Sequence, residues 1–146
     1  MSLYQDAGGR EGLLALSRTF YDKVLADKLL APVFANFTPT HVDRVAIWLA
    51  EVFEGPTTFT DELGGHHFLL ERHLGLGITE PQRQRWLELM SAAIDNVYGH
   101  DLKLHAPLMA YFDWGTKIAQ DVSQSPVGTD LGSPGPTPRW GYDGLK

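Results

Sequence analysis

Four stretches of this chain set apolar residues three and four apart, and nowhere do apolar and polar residues alternate long enough to form a strand. Such a chain must fold as helices that bury one stripe each against one another. The first stripe, between Glu11 and Ala26, is Leu13, Leu14, Leu16, Phe20, Val24 and Leu25, with Tyr21 beside it. The second is Val42, Val45, Leu49 and Val52 or Phe53. It follows Thr38-Pro39, which predicts a helix start because threonine can cap exposed amides and proline has no amide to satisfy. Gly55-Pro56 closes that helix. Thr79 and Gln82 have the spacing of a capping box ahead of Trp86, Leu89, Met90, Ala93, Ile94 and Val97. Leu108, Tyr111, Phe112, Gly115, Ile118, Ala119 and Val122 complete the set, with Pro107 in the opening turn and an end near Ser123.

The intervening segments are shorter. Ser2 and Gln5 predict a small opening helix stopped by Gly8-Gly9. Lys28 to Ala35 is expected to be a helical piece limited by Pro32, and the glycines at 64, 65, 75 and 77 leave a turn or two between His66 and His73. From Gln124 onward Pro126, Pro134, Pro136 and Pro138 predict a Pro/Gly-rich tail without regular structure, although Trp140-Gly141-Tyr142 could pack on the body or on a partner. The expected organisation is an all-α domain over residues 1–123 and a tail over 124–146.

The bulk properties narrow the function. With 43% hydrophobic and 21% charged residues the chain has the composition of a globular domain rather than a disordered one. A net charge of -6 without a basic run excludes the field that gathers phosphates, so no nucleic-acid partner is expected. Asp6, Arg10 and Glu11 interrupt any apolar leader, and no stretch is apolar long enough for a membrane span; a cytoplasmic location is the expectation. Having no cysteine rules out thiolate metal sites and covalent haem attachment through a Cys-x-x-Cys-His segment, which leaves nitrogen and oxygen as metal ligands.

His66, His67 and His73 concentrate in the glycine-broken segment. A single histidine in such a loop is often a surface residue. His73, however, ends Glu71-Arg72-His73 immediately after Phe68-Leu69-Leu70, so its imidazole can face an apolar cavity while Arg72 turns to solvent. A haem iron needs that combination: a neutral imidazole nitrogen, apolar walls, and a cation near the rim for the propionates.

Leu3-Tyr4 with Gly8-Gly9, Phe20-Tyr21-Asp22-Lys23-Val24, Phe34, Gly55-Pro56, Gly65-His66 seven residues ahead of His73, and Trp86-Leu87 occur in an order that resembles the truncated haemoglobins of the second group, over roughly residues 2–122. The resemblance implies a two-over-two helical sandwich around a non-covalent haem b, with His73 as the proximal ligand. It implies that Tyr21, Phe34 and Trp86 line the ligand side; apart from it, Tyr21 and Trp86 are equally core aromatics. It places His41 at a position that gates ligands, donates a hydrogen bond or coordinates the iron, unless it is a solvated first-turn residue, and Val45 one turn on. Trp48, Phe59, Leu63, Leu69, Leu70 and Ile78 are then expected as cavity walls or core, Arg72 at the propionates, His66 at the propionate side or bracing the loop, and His67 exposed. Two departures stand out: the glycine-rich Leu74-Gly75-Leu76-Gly77 after the ligand, and the tail.

Oxygen is the ligand such a protein takes, together with CO, NO or peroxide, and redox chemistry on NO or peroxide would call for a reductase. A homodimer is compatible with the sequence. Two other classes compete: a non-haem metal enzyme using His66 and His73 with Glu62 or Glu71, and a helical interaction module whose Trp140–Tyr142 tail docks a partner. A Soret band separates the first from haem.

Overall fold

A computed structural model describes residues 2–146; Met1, the first residue of the expected helical domain, lies outside them. The chain forms α1 (Leu3–Asp6), α2 (Gly9–Leu25), a 3-10 turn at Ala31–Phe34, α3 (Pro39–Val52), α4 (Thr58–Glu62), α5 (Gly65–Glu71), α6 (Glu80–Tyr98) and α7 (Leu102–Ser123). Helix α2 packs against α3 and α6, and α6 against α7, so two helical pairs stack around one core. Leu13, Leu16, Phe20, Leu49, Ile94, Leu108 and Phe112 from the four predicted stripes are all buried in that core. Among the described residues no helix is long and apolar enough to cross a membrane.

Both predicted capping boxes form. The Ser2 hydroxyl accepts from the Gln5 amide at 3.2 Å and the Thr79 hydroxyl from the Gln82 amide at 3.2 Å, each glutamine side chain bonding back. Thr38 behaves differently: it precedes α3 in an extended conformation, but its hydroxyl pairs with Thr40 at 2.8 Å and caps no amide. Helix α2 starts two residues ahead of the expected Glu11, because Gly8 at φ 89° supplies the left-handed turn that feeds directly into Gly9. Helix α4 was not expected from the sequence; five residues are too few to show a period, and a tertiary contact holds them. That contact is Glu51, buried at the end of α3 with 2% exposure. Its carboxylate accepts from the Thr60 amide at 2.9 Å and from the Thr60 hydroxyl.

The tail is not extended. Trp140–Gly141 and Gly144–Leu145 pair as a two-stranded antiparallel hairpin folded back on the helices. Trp140 is buried and its indole donates to the Pro107 carbonyl at 3.1 Å; Arg139 donates to Gly55, Tyr142 to Asp6, and Lys146 lies 3.8 Å from Glu54. The prolines exclude helix from this segment but do not prevent packing, since an aromatic ring brings roughly 150–250 Å² of area to bury. Pro107 itself falls in the second turn of α7, later than predicted.

Thr137 of the tail approaches the Thr60 hydroxyl at 3.3 Å, so α3, α4 and the tail meet at Glu51. Burial alone would raise the Glu51 pKa, but the Thr137 and Thr60 hydroxyls, the Thr60 amide and nearby Arg139 outweigh it and hold the acid below the ordinary carboxylate range. A depressed folded-state pKa stabilises the fold above the ordinary glutamate value of about 4.3 and ceases to do so as pH falls through the folded value. Glu51→Ala leaves the Thr60 donors unpaired and is expected to cost about 1–3 kcal/mol. Urea unfolding should show a lower midpoint at constant slope, with the difference from the parent shrinking toward acid pH; an unchanged midpoint at neutral pH would show that water replaces the carboxylate.

Candidate functional site

A cavity of about 720 Å³ lies between the helical pairs, within the size range of cofactor sites. Tyr21, Phe34, His41, Val45, Trp48, Phe59, His66, Leu69, Leu70, Arg72, His73, Ile78 and Trp86 line it. Leu63 does not; it is partly buried at the end of α4. His67 is exposed and pairs with Glu71 at 2.5 Å.

Two elements meet at the Tyr21–His41 pair. The Ser17 hydroxyl of α2 donates to the Val42 carbonyl of α3 at 2.9 Å, pinning the helices one turn from Tyr21 and beside His41. The Tyr21 hydroxyl then sits 3.0 Å from His41 Nε2. Phe20, Phe34 and Phe37 stand around Tyr21 with ring centroids at 5.0, 5.5 and 5.2 Å, and Phe20 continues to Trp86 at 4.7 Å. Enclosed in this way, Tyr21 has its pKa pushed well above the ordinary phenol value, so it remains protonated and able to donate. Burial lowers the His41 pKa, and the positive charges of Arg72 and Arg44 add to the effect, so the ring is neutral near pH 7.

His73 lies two residues beyond the end of α5. Its Nδ1 lies 2.8 Å from the Leu69 carbonyl one turn back, an acceptor that fixes the Nδ1-protonated tautomer and leaves Nε2 with its lone pair. Burial depresses its pKa more than that hydrogen bond raises it, and Arg72 depresses it further, so the imidazole is neutral and suited to a metal. The loop behind it is held by the end of α7 and the start of the tail. Gly75 N–H donates to Ser125 O at 2.8 Å, Gly77 N–H to Ser123 O at 2.9 Å, and Ile78 N–H to the buried Ser123 hydroxyl at 2.9 Å. The glycine-rich run is therefore tied down rather than loose. Gly75 has φ 79°, and a Cβ there would lie 2.7 Å from Val127, so no larger residue fits that clasp unchanged.

These features suit haem: a largely apolar cavity wall, a neutral imidazole with one free nitrogen, and exposed Arg44 and Arg72 among the lining residues for carboxylates. The Trp48 indole N–H and His66 Nδ1 are buried without a partner in the chain, as groups that await a polar edge of a bound molecule are. A non-haem metal set is less well served. Glu62 is exposed, Glu71 is engaged by His67, and among the described residues no three His, Asp or Glu side chains converge.

Phe37, Arg44 and Tyr111 are among the cavity residues that sequence reasoning missed. Phe37, 5.6 Å from the His41 ring, sits alone in a polar loop, and its isolation was the signal. Arg44 lies one turn beyond His41. Tyr111 was counted only as part of the α7 stripe, although a hydroxyl on a buried stripe asks for a partner.

A family model of bacterial-like globins matches residues 2–113. Group 2 truncated haemoglobin YjbI of Bacillus subtilis is 35% identical over 92 residues, which are 63% of this chain and 69% of that protein. The X-ray structure of a thermostable haemoglobin from the actinobacterium Thermobifida fusca has a TM-score of 0.70 and 30% identity, covering 82% of this chain and 96% of that one. The group II truncated haemoglobin of Bacillus anthracis has a TM-score of 0.74 and 26% identity, covering 86% and 98%.

Proposed function

The chain belongs to the bacterial-like globin family, within the group II truncated haemoglobins, and from that membership we propose that it carries one haem b, bound non-covalently on His73, and binds oxygen and other diatomic ligands beside Tyr21. The family implies haem-based ligand binding. The observation that carries the finer reading is the His73 imidazole, held as its Nδ1 tautomer by Leu69 on the wall of the cavity that also holds the Tyr21–His41 pair.

When bound, haem would supply a ferrous iron able to take up a diatomic molecule. The chain supplies the rest. Leu69 aims His73 Nε2 and keeps it basic. Arg44 and Arg72 meet the propionates, and Phe34, Phe37, Val45 and Leu70 exclude water. Tyr21 has a single phenolic proton, so the direction of its bond to His41 decides what a ligand meets. If His41 Nε2 carries a proton, it donates to the Tyr21 oxygen, and the Tyr21 hydrogen is free for a ligand with partial negative charge. His41 acts in this way as a positioning donor, because its Nε2 is committed to Tyr21 rather than directed at the iron.

The Tyr21 hydroxyl, with the Trp86 indole N–H also on the cavity wall, favours holding a ligand over delivering it. Redox chemistry on bound oxygen with NO, or on peroxide, tolerates slow release better than transport does. Hemin titration of the purified chain tests the foundation: a Soret band should saturate at one equivalent and shift on reduction and on carbonyl binding. A chain that stays colourless with excess hemin overturns the haem reading.

A further inference from the structure

Three of the four tryptophans gather with Tyr111 in a cluster that meets the Tyr21 group across Phe112, Trp86 and Phe20. Ring centroids run Trp48–Tyr111 at 6.2 Å, Tyr111–Trp114 at 6.2 Å, Tyr111–Trp140 at 5.6 Å and Trp114–Trp140 at 5.5 Å. Trp48, Tyr111 and Trp114 face the cavity, Trp114 is also partly open to solvent, and Trp140 comes from the tail, beyond the residues matched by the family model.

We propose that this cluster is an electron path: it carries single electrons from a phenolic donor at the outer face near Trp114 to hydrogen peroxide reduced in the cavity, so that phenols too large to enter are oxidised. The inference rests on the haem reading above. Its chemistry balances as follows. Two phenols each lose one electron and one proton to give phenoxyl radicals. The O–O bond of hydrogen peroxide breaks, and both oxygens leave as water after taking up the two electrons and two protons.

The residue types suit different parts of the path. An indole can give up an electron and keep its N–H proton, so it needs no neighbouring base. The Trp48 N–H, buried without a partner, is compatible with that role, and the Trp140 N–H is fixed on Pro107. A phenol must shed its proton when oxidised. Burial raises the Tyr111 pKa, with no hydrogen bond contributing to the shift, so Tyr111 is a bridge between indoles and not a resting place for the charge. Tyr21, by contrast, is bonded to His41 and approaches Phe20, Phe34 and Phe37, rings that are much harder to oxidise, and the one indole beyond them, Trp86, has among the described residues only Phe20 and Phe112 as aromatic neighbours. The easily oxidised route out of the cavity therefore runs through Trp114 and Trp140.

The test uses hemin-loaded protein mixed with hydrogen peroxide, freeze-quenched for electron paramagnetic resonance and digested for mass spectrometry. A tryptophan radical and oxygen addition at Trp114 or Trp140 are expected. Oxidation of a phenol tethered to a polymer should follow, and should be lost in Trp114→Phe, which keeps an aromatic ring in place; Trp140→Phe is a second variant that leaves the cavity wall unaltered. A Soret band with radical and oxidation products confined to Tyr21 and Trp86, or polymer-bound phenol oxidised by both variants as fast as by the parent, overturns the path alone. A chain without a Soret band removes the haem reading and the path together.

Discussion

His73→Ala is expected to emerge from purification without a Soret band and to take up hemin at least about a hundredfold more weakly than the parent, since loss of a mere second-shell partner costs about 10- to 100-fold at metal sites. The cavity that remains is still apolar, and Arg44 and Arg72 still stand at its rim, so weak non-specific hemin association will persist. Added imidazole separates loss of the ligand from loss of the fold. If the helices are intact, a small imidazole entering the space of the deleted ring should restore a Soret band. Circular dichroism should show helix content near that of the parent, because His73 lies after α5 and outside the buried core. A variant that binds hemin as the parent does would show that another residue holds the iron, with His66 the first to examine.

Tyr21→Phe should accelerate oxygen release by about ten- to a hundredfold. The hydroxyl is the only group removed, and a hydrogen bond to a ligand carrying partial charge is worth about 1.5–3 kcal/mol. Stopped-flow displacement of oxygen by CO from the ferrous protein reads this directly. The association rate should change much less, because the ring remains against Phe20, Phe34 and Phe37 and the walls keep their shape. His41 loses its partner in the same variant. Combining Tyr21→Phe with a Trp86 substitution is therefore not expected to give the product of the separate effects, since the freed imidazole can turn toward the ligand. An unchanged release rate would mean that the hydroxyl donates only to His41.

The long helices were legible because each carries an apolar stripe and, for α6, a capping box that names its first residue. That His73 and Tyr21 line the cavity was legible, for His73 from the three apolar residues shortly before it and for Tyr21 from the family resemblance, since beside a buried stripe it could equally have been core. What escaped depended on tertiary contacts. Helix α4 is held by Glu51 from another helix, and its own five residues announce nothing. The Tyr21–His41 bond joins residues twenty apart and hangs on the Ser17–Val42 contact, which no local pattern encodes. The tail was legible in part: Trp140 packs on the body as its ring allowed, but the short hairpin and the Thr137 contact were hidden, because proline and glycine describe what a segment cannot form and not where it rests.

The clasp of Ser123 and Ser125 on Gly77 and Gly75 gives the carboxyl end of the chain leverage over the loop after His73. Tension applied at Lys146 would first unzip the hairpin, then free Thr137 from α4, and then draw on Val127 and the strap beside Gly75, while α2, α3 and α6 were still folded. Load on that hairpin is thus transmitted to the segment beside the imidazole before it melts the body, which makes the cavity mechanically addressable from a distant element.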